Sequence, residues 1–170
     1  MRYAIDNGAW SAFINQREWE SDPFVQLVKD FGEHADFVVA PDIVEGGSES
    51  LKRSLDWIPF ILKHAKTVLI AVQDGMNADD HSMHINTNTG IFVGGSTQFK
   101  ETTLAMWSSL CKKKNTICHI GRVNSVRRIN MCLNAGATSF DGTKACRFSQ
   151  SLPMLDQARK QLSLMGFFDE

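Results

Sequence analysis

Short apolar runs, each succeeded at once by a polar or glycine turn and then by an amphipathic stretch, recur along the chain. This alternation constrains the fold more than any other feature. The runs are residues 3–5, 37–40, 67–72, 90–93, 116–120 and 139–140. Between them lie helical patterns at 23–32, 48–65, 97–113 and 125–135, with a last one at 152–164. In 97–113, for example, Leu104, Trp107 and Cys111 recur at helical spacing. The runs are apolar at successive positions, as strands are when helices cover the sheet, so a parallel α/β sheet with right-handed crossovers is expected. Six βα units in 170 residues fall short of a complete eight-unit barrel, which takes about 200 to 250 residues. The expectation is therefore a single α/β domain over 1–170. It is TIM-barrel-like, with a shortened or partial (β/α) repeat, unless a neighbouring chain completes the barrel. The polar stretch 75–89 reads as a long loop with at most one helical turn, over the same edge as the strand ends.

Net charge is −1, so any attraction to nucleic acid must come from local clusters of Lys and Arg. The longest apolar runs are far too short to span a bilayer, and the start Met1-Arg-Tyr-Ala-Ile-Asp6 has no signal-peptide core. No membrane partner and a cytoplasmic location are expected. Cys111, Cys118, Cys132 and Cys146 form no CxxC pair, which argues for packed thiols rather than a structural zinc cluster.

The functional signal lies in the residues immediately after each run. Residues 3–5 lead to Asp6-Asn7-Gly8, and 37–40 to Pro41-Asp42. Residues 67–72 lead to Gln73-Asp74-Gly75, and 90–93 to Gly94-Gly95-Ser96. His119-Ile-Gly-Arg122 ends the fifth run and Asp141-Gly142 the sixth. In a parallel sheet all carboxyl ends face one rim, where active sites form. Any one Asp-Gly there reads equally well as a turn or cap. Three such Asp residues in register with Gln73 and a Gly-Gly backbone patch suit a planar, hydrogen-bonding heterocycle. His119 alone reads as a packed strand-end histidine.

These motifs, in this order, resemble the tRNA-guanine transglycosylases (queuine tRNA-ribosyltransferase-like), and most closely the phage and bacterial relatives that insert 7-deazaguanines into DNA. The matching segments are Asp6-Asn-Gly, Pro41-Asp42, Val72-Gln73-Asp74-Gly75, Val93-Gly94-Gly95 and Gly136-Ala-Thr-Ser-Phe-Asp141. They span about residues 3 to 148. The family's C-terminal zinc site has no counterpart, and the barrel is expected to be short at its N-terminal end.

The resemblance implies base exchange in DNA or tRNA through a covalent sugar intermediate. Asp141 would be the nucleophile and Asp6 the general acid/base. Asp42, Gln73, Gly94 and Gly95 would hold a purine or 7-deazapurine. No metal or organic cofactor is required. Nucleic acid would meet Arg122, Arg127, Arg128, Lys144 and Arg147, with Trp10 and Phe99 near the rim as candidate stacking platforms. A homodimer is a further expectation. Two other readings stay open at this stage. One is a non-catalytic protein that sequesters a purine or nucleotide or regulates a partner. The other is a metal-dependent hydrolase built on Asp79, Asp80, His81, His84 and His119.

Overall fold

The computed structural model describes residues 2–142 and Pro153. Five strands, β1 (Val38–Val39), β2 (Val68–Val72), β3 (Thr89–Val93), β4 (Cys118–Ile120) and β5 (Ser139–Phe140), form one all-parallel sheet in sequence order. The fold is α/β, its sheet curled as a half-barrel among helices. The expected first strand shrinks to one bridge, Ile5 to Val38, because Asp6-Asn7-Gly8 turns the chain away at once, with Gly8 at φ 75°.

Strands that succeed one another in register, joined by crossovers of one hand, put their helices on one face and leave the other free to curl inward. Side-chain alternation shows both faces. Ile70, Val72, Ile91, Val93, Cys118 and Ile120 pack outward against Leu104, Trp107 and Cys111 of α5 (Thr97–Lys113) and Ile129 and Cys132 of α6 (Val126–Asn134). Val38 and Val68 pack against Phe24 and Val28 of α2 (Ser21–Phe31) and Ile61 of α3 (Gly47–Ile61). Phe37, Val39, Leu69, Ala71 and Phe92 form the concave face. The depth of the curl is fixed by one contact. Three strand spacings would separate β1 from β4 by about 14 Å in a flat sheet, yet the rings of Phe37 and His119 lie 5.0 Å apart.

The helices match their patterns closely, with one early stop. The pattern over 48–65 ends as a helix at Ile61, because Pro59 has no N–H to donate one turn back and the helix gives out in the next turn. Residues 75–88 form a loop with the one helical turn expected there. Asn77 caps the short helix α4 (Ala78–Ser82) by accepting from the N–H groups of Asp79 and Asp80. Met76, Ala78 and Ile85 then pack into the core under α5, so the connection is not laid over the strand ends as expected, and none of its residues lines the cavity on the concave face. Among the described residues, no helix is long and apolar enough to cross a membrane. Lys144, Cys146, Arg147 and the helical pattern at 152–164 lie outside the described residues, Pro153 excepted.

Candidate functional site

The curl turns the ends of the five strands and of the Ile5 bridge segment into the wall of one cavity of about 550 Å³, the size range of small-molecule sites. Val39, Ala71 and Phe92 form its apolar floor, and Asp6, Asp42, Gln73, Gly94, Gly95, Arg122 and Asp141 stand around its rim. Asp6 comes just after the first segment of the sheet and Asp141 just after the last, and the curl alone brings their charges within influence of each other.

On the N-terminal side Asn7 organises the wall. Its buried Nδ2 donates to the Ala40 carbonyl at 2.7 Å and to Asp42 Oδ1 at 2.9 Å, and its Oδ1 accepts from the Ala9 N–H at 2.7 Å. Its own carbonyl accepts from Trp19 Nε1 at 2.7 Å. One side chain thus ties the first two strand ends and the start of α1 (Ala9–Ile14) together. Desolvation raises the pKa of both neighbouring carboxyls. Asp6 is open to the cavity but closely walled, and this desolvation, with repulsion from Asp141, outweighs the N–H groups of Asn7 and Gly8. Asp42 is raised by the same desolvation and by the charge of Asp6, against the Asn7 hydrogen bond.

The C-terminal side is built differently. His119 is buried between Phe37 and Phe92, its ring stacked on Phe92 with centroids 5.2 Å apart. Ionised Asp141 can only accept, so His119 Nε2–H donates to its Oδ2 at 3.1 Å, while His119 Nδ1 is hydrogen-bonded with Ser139 Oγ at 2.8 Å. The Arg122 N–H donates to Asp141 Oδ1 at 2.9 Å. Burial alone would raise the Asp141 pKa, but these two hydrogen bonds and the charges of His119 and Lys100 overcome it, and the carboxyl titrates below its ordinary value. Its side chain remains 50% exposed to the cavity.

The roof crosses between the two sides. The Arg122 guanidinium lies 4.6 Å over the Trp10 ring and donates to the Gly95 carbonyl at 2.6 Å. Gly95 has φ 70°, and a Cβ there would sit 2.5 Å from Asp74 Oδ2, so the turn requires glycine. Asp74 fastens it by accepting from the N–H and the hydroxyl of Ser96.

Several expected roles are revised. Gln73 lines the cavity, but its amide is engaged with the neighbouring loop: Nε2 donates to the Ile43 carbonyl at 2.7 Å and Oε1 accepts from the Glu45 N–H at 2.8 Å. It shapes the wall instead of pointing its amide at a ligand. Gly94 donates its N–H to the Val72 carbonyl, which leaves Gly95 as the backbone group of that pair to serve a ligand. Arg127 and Arg128 lie off the cavity on α6, where both pair with Glu101 of α5, and Arg128 also donates to Thr97 Oγ1. Phe99 is buried in the helical layer and takes no part in the rim. His81 packs edge-on against Trp107, and among the described residues no three His, Cys, Asp or Glu side chains gather as metal ligands.

Three contributors escape or nearly escape a reading of the sequence. Asn7 has the look of a turn residue, and His119 that of packing. Lys100 is legible, since it shares the helical face of Leu104, Trp107 and Cys111, where a lysine is out of place. No family model matches the chain, and no curated protein matches it.

Proposed function

We propose that the chain is a base-exchange transglycosylase acting on a guanine-like base in DNA or tRNA through a covalent Asp141–sugar intermediate. The curled sheet is then read as part of a TIM-type (β/α) barrel of the tRNA-guanine transglycosylase kind. One observation carries the reading. Within a single cavity, Asp141 accepts from His119 and from the Arg122 N–H, which lower its pKa, while Asp6 is desolvated on the opposite flank and its pKa is raised. Two carboxyls driven apart in this way are what a retaining exchange at an anomeric carbon needs.

The step balances with these two groups. An Asp141 oxygen attacks C1′, the glycosidic C–N bond breaks with its electron pair passing to the base, and Asp6 supplies the proton to the departing nitrogen. Asp6, now a carboxylate, takes the proton from an incoming base, whose nitrogen attacks C1′ and displaces Asp141. Asp42 accepts from the N1–H and amine edge of the base, and Gly95 N–H donates to its carbonyl. His119 and the Arg122 N–H hold the attacking carboxylate in place. Trp10, flanked by Arg122 over its ring and by Phe13 stacked beside it, lines the cavity through which an extruded base would enter.

The test is incubation of the chain with DNA and with tRNA in the presence of labelled guanine or a 7-deazaguanine. Incorporation of label, and a denaturant-resistant nucleic-acid adduct lost in Asp141→Asn, are the expected results. No incorporation into any nucleic acid would sink the proposal. Tight binding of a free base that survives Asp141→Asn, without turnover, would assign the cavity to a non-catalytic purine-binding protein instead.

A further inference from the structure

Lys100 sits on the core-facing side of α5, 7% exposed, with its stem among apolar side chains. Its Nζ donates to the Gly121 carbonyl at 3.0 Å. The other end of that same peptide unit is the Arg122 N–H, which donates to Asp141 Oδ1 at 2.9 Å. Ammonium, peptide group and carboxylate therefore form one hydrogen-bonded chain from the helical layer to the cavity. The peptide has little freedom to turn. Gly121 donates its N–H to the Val93 carbonyl, Arg122 is held at φ 59°, and a Cβ on Gly121 would lie 2.7 Å from the Phe92 ring.

We infer that Lys100 is a positioning residue for Asp141, acting through the Gly121–Arg122 peptide bond, an inference that rests on Asp141 being the reacting carboxylate. A cation on the carbonyl oxygen draws electron density from the amide, so its N–H becomes a stronger donor to the carboxylate beyond. The ammonium thereby fixes one oxygen of Asp141 and favours its ionised form without touching substrate. The charged groups around Lys100 are Arg122 after β4, Arg128 from α6, Asp74 after β2, Asp141 after β5, and Glu101 on its own helix, and the Cys132 thiol of α6 beside it is kept neutral by burial. Burial first, and then Arg122 and Arg128, bring its pKa down to about 8, so the relay switches within an accessible pH range. As the pH rises through that value the ammonium is lost, and the Arg122 N–H weakens as a donor.

Nuclear magnetic resonance on the isotopically labelled full chain tests this without requiring turnover. In the wild type, the Arg122 amide proton is expected to shift with a midpoint near pH 8, where Lys100 titrates. Lys100→Arg, always charged, should abolish that step and leave the Asp141 carboxyl midpoint where it is. Lys100→Met should raise the Asp141 midpoint by about half a pH unit or more. An Arg122 amide that does not respond near pH 8 in the wild type overturns the relay, whatever the variants do. So does an Asp141 midpoint equal in wild type and Lys100→Met. The exchange assay runs beside it: Lys100→Met is expected to lower kcat about tenfold with little change in KM, and Lys100→Arg to restore it. If the resonance steps appear but the wild type exchanges no base, the relay stands and the transglycosylase reading fails.

Discussion

The two flanks of the cavity carry the same functional group and treat it in opposite ways. On the N-terminal flank, Asp6 and Asp42 stand close together with Asn7 between their strand ends. Desolvation and mutual repulsion there exceed what a few N–H donors return. On the C-terminal flank, Asp141 is equally desolvated in kind but receives His119, the Arg122 N–H and the field of Lys100. Asp6 and Asp141 each receive two hydrogen bonds, so the difference in direction comes from the balance of desolvation and neighbouring charge: Asp141 has His119 and Lys100 beside it, whereas Asp6 faces the repulsion of Asp141. A sheet that curls far enough to bring its first and last strand ends together can thus run acid and nucleophile chemistry with one residue type.

The largest expected effects break that division outright. Asp141→Asn should reduce exchange more than about a thousandfold and abolish the covalent adduct, as loss of a nucleophile does. Asp6→Asn should cost about 100- to 10,000-fold, the range for losing a general acid. The pH profile of the wild type gives the sharper test. The proposed exchange requires ionised Asp141 and protonated Asp6. It should therefore fall on the acid side at a pH below the ordinary aspartate value, and on the alkaline side at a pH above it. Asp6→Asn should remove the alkaline limb and leave the acid limb. An alkaline limb that survives in Asp6→Asn would assign the acid to another group.

Smaller effects appear in stability, and with opposite signs. The folded pKa of Asp42 is raised, so between its unfolded and folded values the native state holds more protons, and stability falls as pH rises through that window. Above it the cost of the ionised carboxylate is fully present, and Asp42→Asn should raise Tm by a few degrees at neutral pH. The folded pKa of Asp141 is lowered, so its stabilisation is present above the unfolded value and is lost as pH falls through the folded one. Asp141→Asn should lower Tm at neutral pH and lose that effect in acid. Thermal melts of both variants at neutral pH and in acid check the pair, and a shift of the same sign for both would refute the contrast.

The layers of the fold are readable because they rest on period. Helix 97–113 is recovered residue for residue as α5, and five of the six apolar runs become strands. Parallel strand direction puts Asp6, Asp42 and Asp141 on one rim, and the curl of the sheet then gathers them around one cavity. Sequence spacing does not encode which neighbour a polar side chain reaches. Gln73 stands at the rim position expected of it, yet the loop through Ile43 and Glu45 folds back within reach of its amide and takes both ends. Arg127 and Arg128 come soon after a strand end, which predicts rim cations. The helical turn that carries them faces α5, and Glu101 waits there four residues beyond Thr97 in the same helix. Asn7 is hidden for the converse reason, since its partners at Ala40 and Asp42 lie more than thirty residues away.

The same geometry separates cations that the sequence treats alike, and this yields the smallest expected effect. Arg122 leans over Trp10 at the mouth of the cavity and spends its guanidinium hydrogen bond on a neutral carbonyl, so a phosphate approaching the rim meets its charge directly. Arg127 already shares Glu101 with Arg128, and an exposed pair of that kind has little charge left to offer a second anion. Arg122→Gln should therefore weaken binding to nucleic acid uniformly across sequences and reduce the slope of log K against log salt by about 1. Arg127→Gln should leave the slope unchanged. Fluorescence anisotropy with a labelled oligonucleotide over a series of salt concentrations reads both. If Arg127→Gln lowers the slope as much as Arg122→Gln, the contacting surface extends over α6 and the cavity mouth is only part of it.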